Sequence, residues 1–434
     1  MKLAVVIALV AAVFAAAPKQ LWNYTTANCV ASTVAVGGGM AVTGTDGSRL
    51  IALDAKTGAL RWAYGASMWV QNNPVIIGNL VVFPNNRGNL DAVDINNGTL
   101  VWRVTGGEEY NGQAVLVGKV GNTPAVFIGS MSGLFKAIGL NNGTLLWQTS
   151  VGGEVFASAA WIDSEQTKLV FGTYSGTVVC LDSQTGKQVW MTAVSGGLFT
   201  PRVAQGKIYI GSQEPGAQYI LDATTGKLLW SNVNIPAVVG QPEADSERIY
   251  WTLNNGTVLA TDFMGKSLWS YTIGGSQLNS APIRHGDTLF VGGYNGLYAI
   301  NPADGTLQWR FQANGYAAQL GAPTIVGGVA YFGTCLGLPA GVYAVEFGTF
   351  VEEWLCDDAS CSHGCSIADV PLGCQQTSVM SSVLRAASAT ELTVTQYTSS
   401  ATCDPSTPSF TTAYTPNVCN IIASGGSFVW APSH

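Results

Sequence analysis

The chain has 434 residues with 52 Gly, 13 Trp and 9 Cys, a hydrophobic fraction of 47% and only 10% charged residues, where globular chains average about 25% charged. This much apolar and aromatic material excludes a disordered chain, and glycines that do not recur every third residue exclude a collagen helix. With 19 Lys and Arg against 26 Asp and Glu, a net charge of -7, no basic surface is available for phosphates and nucleic acid is a poor partner.

Met1 and Lys2 precede an unbroken apolar run from Leu3 that ends in Ala15, Ala16 and Ala17. A basic start, an apolar run and a small-residue cleavage site make a secretory signal peptide over residues 1–17; a buried N-terminal helix is the competing reading. The run is shorter than the roughly 20 residues needed to span a bilayer, and no second stretch reaches that length. A secreted or cell-surface protein with no membrane span is expected. Four Asn-x-Ser/Thr sequons, at Asn23, Asn97, Asn142 and Asn255, suit such a chain as glycosylation candidates, although three sit in Asn-Asn-Gly-Thr, which is also good turn sequence.

From residue 18 to 355 one unit repeats. Trp22, Trp62, Trp102, Trp147, Trp190, Trp230, Trp269, Trp309 and Trp354 recur at about 40 residues, a period that marks a repeat architecture. Each Trp follows a turn, Asp-x-x-(Thr/Asn)-Gly at Asp54–Gly58, Asp94–Gly98, Asp182–Gly186 and Asp222–Gly226, with Gly139 replacing Asp in the third unit and Phe350 replacing Gly in the degenerate eighth. Glycine supplies the positive φ of a tight hairpin turn and Asp binds the turn's own amides. Alternating runs such as Leu50–Leu53 and Leu297–Ile300 flank the turn, and a second hairpin lies upstream, as in Pro282–Gly292. Four short strands, A to D, per unit of about 40 residues predict an all-β, eight-bladed β-propeller.

The unit Gly-x-Leu-x-Ala-Leu-Asp-x-x-Thr-Gly-x-x-x-Trp resembles the pyrroloquinoline quinone (PQQ) type propeller repeat, shared by quinoprotein alcohol dehydrogenases and by the non-enzymatic outer-membrane assembly lipoprotein BamB, the nearer in kind. The resemblance covers about residues 20–355. It implies that each Trp docks between neighbouring blades and that an N-terminal strand, here Lys19–Tyr24, completes the last blade. It also implies what an enzyme of this type needs: a disulfide between adjacent cysteines beneath the cofactor, and calcium held by Glu, Asn and Asp. No two cysteines are adjacent, and most acids are committed to turns. Only three histidines exist, His285, His363 and His434, and hydrolase and phosphate-loop motifs are absent. No catalytic residue, cofactor or metal is therefore assigned. A secreted binding or scaffold protein with a protein or carbohydrate partner is expected, and an atypical PQQ-dependent oxidoreductase is the alternative.

In a propeller the D-to-A connections share one face with the B-to-C turns. Here they carry Trp69, Gln71, Tyr110, Gln113, Phe156, Phe199, Gln241, Gln277, Tyr316 and Gln319. Aromatics interleaved with amides around a concave mouth suit a sugar or a peptide; the competing reading is that the rings fold back and plug the channel.

Residues 356–434 are rich in Ser and Thr and hold Cys356, Cys361, Cys365, Cys374, Cys403 and Cys419. In an oxidising compartment these predict a small module stapled by three disulfides rather than a zinc site, since no close Cys-x-x-Cys pairs occur. Cys180 replaces the Ala of strand C and should be buried and unreactive. Ring closure brings Cys29, just ahead of strand A in blade 1, beside Cys335 in the B-to-C connection of blade 8, and a bridge across that seam is expected.

Overall fold

A computed structural model describes residues 18–105, 109–110, 114–273, 280–293, 296–313, 322–335 and 340–347, together with the backbone of strands between residues 350 and 429. Its units fold as eight four-stranded antiparallel sheets arranged as a propeller. Blade 1 comprises Ala35–Gly37, Met40–Thr45, Arg49–Asp54 and Leu60–Gly65 as strands A to D. Strands B and C are almost wholly buried, as Met40–Thr45 and Arg49–Asp54 show, whereas strand D alternates between buried and exposed residues. The core thus lies between blades, and no blade has a core of its own. Blade 8 takes Thr324–Val326, Val329–Gly333 and Gly341–Glu346 from the end of the ring and Lys19–Thr25 from its start. Lys19 pairs with Glu346 and Thr25 with Gly341, so the expected closing strand is in place. Phe350–Leu355, with Trp354, pairs instead with Ser366–Pro371 and Phe428–Val429. Gly373–Thr377, Ser381–Ala387, Leu392–Thr398 and Pro408–Tyr414 form a further antiparallel sheet.

The Trp and Gly of the repeat explain each other. Trp22, Trp62, Trp102, Trp147 and Trp269 donate from Nε1 to the carbonyls of Ala55, Ile95, Leu140, Ser183 and Pro302, each on the turn of the following blade, at 2.7–3.0 Å. From Trp22 to Trp269 the indoles cover the turn glycines of the next blade. A Cβ at Gly58, Gly98, Gly143, Gly186, Gly226, Gly265 or Gly305 would lie 2.4–2.9 Å from the ring. The Asp of the turn works inside the hairpin: Asp54 Oδ1 accepts from the amides of Lys56 and Thr57 and from Thr57 Oγ1 at 2.8–3.1 Å.

Those bonds make the turns acid-sensitive. The Arg61 guanidinium first, then the Thr57 amide and hydroxyl, hold Asp54 at about 2 from an ordinary 3.8. The Thr225 hydroxyl and amide lower Asp222, and the Thr306 amide and hydroxyl lower Asp304. A carboxylate with a lowered folded-state pKa contributes stability that is complete above its unfolded pKa and is lost as pH falls through the folded value. The melting temperature is therefore expected to fall between about pH 4 and pH 2. A flat profile across that interval by scanning calorimetry would remove this account of the turns.

One blade interface carries a polar misfit. Two residues before the strand C partner of each Trp stand Leu50, Leu90, Phe135, Val178, Val258, Leu297 and Val342, all buried. Blade 5 has Gln218 there, equally buried, with Nε2 unbonded and Oε1 accepting only a 3.4 Å bond from Asn232. A buried donor without a partner costs about 1–3 kcal/mol. Gln218→Leu is expected to raise stability by about that amount, measured as a higher urea midpoint at unchanged m. An unchanged or lower midpoint would show that the amide has a partner.

Candidate functional site

Strand A of each blade is short, two or three residues in most blades, and lines the central channel. Two residues before strand A stand Thr33, Asn73, Ala114, Ser158, Thr200, Gln241, Ala281 and Ala322, and all eight line one cavity of about 820 Å³. In five of the eight blades the next residue is proline, Pro74 of blade 2 among them, which holds the position extended. Side chains at this level tie blade to blade. Asn73 Oδ1 accepts from the Thr33 amide at 2.9 Å, Ser158 Oγ from the Ala114 amide at 2.8 Å and Thr200 Oγ1 from the Ser158 amide at 3.1 Å. Gln241 reaches back, donating from Nε2 to the Pro201 carbonyl at 2.9 Å.

The predicted mouth residues that the structure describes separate into three groups. Gln71, Phe156, Phe199 and Gln241 line the cavity. Gln71 is fixed at both ends, donating to Asp46 Oδ1 and accepting from Asn86 Nδ2, each at 3.0 Å. Phe156 and Phe199 meet edge to face with centroids 6.5 Å apart, and Tyr174 lies 6.3 Å from Phe156. Tyr110 is corrected: it is 1% exposed and packs in the core with Val82, Leu90, Trp102 and Val126, because its apolar ring gains more from that interblade core than from the mouth. Trp69 is 47% exposed and is not part of the cavity wall. Gln113, Gln277, Tyr316 and Gln319 lie outside the described residues.

Several wall residues escaped the sequence reading. Asn73, Ser158, Thr200 and Gln213 are small or amide residues inside loops, and Trp161 resembles a core aromatic. Arg202, on strand A of blade 5, is ion-paired to Glu243 on strand A of blade 6. Burial raises Glu243 above the ordinary carboxylate range, against the opposing pull of Arg202. The register of X-Pro ahead of strand A was the available signal for Thr200, Gln241 and Asn73.

Cys29 and Cys335 are bridged on the same face, with Cα atoms 4.5 Å apart and a sequence separation of 306. Cys180 is free and buried, and burial pushes its thiol up to about 12. Asn23, Asn97, Asn142 and Asn255 are all exposed; Asn97 and Asn142 accept from the hydroxyl of their own sequon threonine at 2.7 and 2.9 Å. Cys356, Cys361, Cys365, Cys403 and Cys419, and the side chain of Cys374, lie outside the described residues.

The family model described as outer membrane protein assembly factor BamB matches residues 8–159, 131–281, 216–348 and 254–390. The chain belongs to this family. It is 31% identical over 187 residues to the quinohemoprotein alcohol dehydrogenase ADH IIB of Pseudomonas putida, covering 36% of this chain and 25% of that protein. It is 27% identical over 185 residues to the dehydrogenase subunit of the quinone alcohol dehydrogenase of Gluconacetobacter polyoxogenes, covering 33% and 24%. With BamB of Nitrosomonas eutropha it shares 27% over 126 residues, 29% of this chain and 31% of that one. The matched segments thus span 24–31% of these curated relatives. Among solved structures, BamB from Moraxella catarrhalis superposes with a TM-score of 0.63 at 18% identity, over 76% of this chain and 100% of that one. Quinohemoprotein alcohol dehydrogenase from Comamonas testosteroni gives 0.62 at 17%, over 76% and 77%. At such identities the likeness is one of fold.

The BamB-type repeat thus leaves open whether the channel could hold a calcium-bound quinone. Calcium takes six to eight oxygen ligands, with carboxylates prominent. Among the described residues lining the cavity there is no Asp or Glu, and nearby Glu243 is held by Arg202 and by the Ala244 amide. The described lining residues do not fit that group.

Proposed function

We propose that the chain is a secreted, non-catalytic propeller that acts as a binding or scaffold protein through the face carrying the D-to-A connections. The observation that carries this reading is the channel wall, where amides, hydroxyls and aromatic rings surround a cavity of about 820 Å³ that has no carboxylate, histidine or thiol among its described lining residues. Such a wall can bind, and among its described residues no carboxylate, imidazole or thiol accompanies the hydroxyls of Ser158 and Thr200 to activate them. The name of the matching family, an assembly factor, supports a scaffold role with a protein partner, and the aromatic and amide wall suits a glycan. Export is supported by the leader-like residues 1–17, by a disulfide and by four exposed sequons.

Similarity to quinone alcohol dehydrogenases favours a second reading, a PQQ-dependent oxidoreductase. Mixing the purified chain with PQQ and calcium, followed by gel filtration and absorbance, separates the two. The expected result is no retained quinone and no dye-linked alcohol oxidation. Stoichiometric quinone together with oxidation would overturn the binding reading.

A further inference from the structure

Resting on that binding reading, we infer that the channel mouth between blades 4 and 6 is a subsite for a neutral oligosaccharide, with one sugar ring seated end-on against Phe156 and Phe199. The cavity volume of about 820 Å³ falls in the range of roughly 300–1,000 Å³ usual for small-ligand sites. Phe156 and Phe199 line the cavity, and Tyr174, outside the lining, continues their aromatic cluster. Tyr174 is seated there because Gly197 has no side chain: a Cβ at that position would stand 2.8 Å from the tyrosine ring.

The polar groups beside this cluster are of both kinds and are not used up by the protein. The hydroxyls of Ser158 and Thr200 each accept a neighbouring amide, which leaves their own protons to donate into the channel. Gln241 spends Nε2 on the Pro201 carbonyl and keeps Oε1 as an acceptor. Gln213 is exposed on the wall and none of its side-chain atoms is bonded among the described residues. Donors and acceptors at one level next to aromatic faces match a sugar, whose hydroxyls do both and whose C–H faces are apolar.

Charge selects the neutral class. Arg202 is the one cation among the described lining residues, and Glu243 already pairs with it. An anionic ligand reaching Arg202 would be brought against Glu243, and a cationic one would find no carboxylate on the wall. Ser158, Thr200 and Gln241 stand at one level on three adjacent blades, with Ala281 and Ala322 following on the next two, a short arc that suits a compact ring better than an extended peptide.

The test is calorimetric titration of the purified chain with maltotriose, cellotriose, chitotriose and mannotriose, alongside trigalacturonate and tetra-alanine. Saturable binding to at least one neutral trisaccharide is expected. Phe199→Ala and Gln213→Ala should each weaken it about tenfold, a loss of roughly 1.4 kcal/mol. Gln213 is exposed, so that variant should keep the parent melting temperature and carries the test even if Phe199→Ala does not fold. The inference is overturned if no neutral trisaccharide binds up to about 10 mM, a binding free energy of only about −2.7 kcal/mol, or if both variants bind as the parent does. Tighter binding of trigalacturonate or tetra-alanine also overturns it while leaving the broader binding reading intact. That reading fails separately, in the quinone and dye assay.

Discussion

Gly98→Ala is expected to destabilise the propeller by about 2–5 kcal/mol, whereas Gly78→Ala should cost only about 1–2 kcal/mol. Both glycines have positive φ, +71° and +57°, so both substitutions carry the left-handed backbone penalty of about 1–2 kcal/mol. Only Gly98 has a neighbour in the way. Its new Cβ would fall 2.5 Å from Trp62 Cε3, whereas at Gly78 it would meet nothing within 4 Å. The indole cannot withdraw freely, because its Nε1 donates to the Ile95 carbonyl at 2.7 Å and its ring lies in the core between blades 1 and 2. Crowding of this kind adds about 1–3 kcal/mol. Urea midpoints of the two variants check the difference. Equal midpoints would mean that Trp and Gly do not form the joint between blades.

The fold was legible because the same two residues mark seven of the eight units and act across the boundary between units. A hairpin needs the turn glycine for its φ, and the preceding blade needs it for its missing Cβ. Both demands write the same letter at the same place, so seven copies reinforce one another. The degenerate eighth turn is explained similarly, since blade 8 draws its outer strand from Lys19–Thr25, and the chain after Glu346 need not make the usual hairpin. Cys335 was placed by the same ring-closing logic.

Side chains that break the repeat were less legible. Asp91 has the composition of a surface acid, yet it is fully buried on strand C of blade 2, Asn89–Asp94. There it takes a bidentate pair from Arg103 at 2.7 and 2.8 Å and a bond from Tyr64 of blade 1 at 3.1 Å. Gln218 is the opposite case, a polar residue in an apolar slot without such partners. Tyr110 and Phe156 follow a blade Trp at similar distances along the chain, but one ring turned into the core and the other to the channel. Spacing in a loop does not determine which way a ring faces. That is decided by whether the neighbouring blades leave room, a property of two units that no single unit encodes.

Replacing both bridged cysteines, Cys29→Ser with Cys335→Ser, is expected to cost about 2–4 kcal/mol. The bridge joins positions separated by 306 residues, and the chain-entropy model puts the ceiling for such a loop near about 6 kcal/mol. The native seam keeps the loss below that ceiling only if closure survives without the bridge, and three features argue that it does. Lys19–Thr25 remains paired with Gly341–Glu346. The amides of Thr26 and Val30 donate to the carbonyls of Ala340 and Thr334 at 2.8 and 3.1 Å. Trp22, Val34, Leu53 and Tyr331 remain packed in one core spanning blades 8 and 1. The double variant should therefore fold to a closed ring that unfolds at a lower urea concentration, because the bridge acts mainly by restricting the unfolded chain. The slope m should rise as well, since an uncrosslinked chain exposes more surface when it unfolds. A loss under about 0.5 kcal/mol, within the error of extrapolated unfolding data, would show that strand and core alone hold the seam and that the bridge adds nothing measurable.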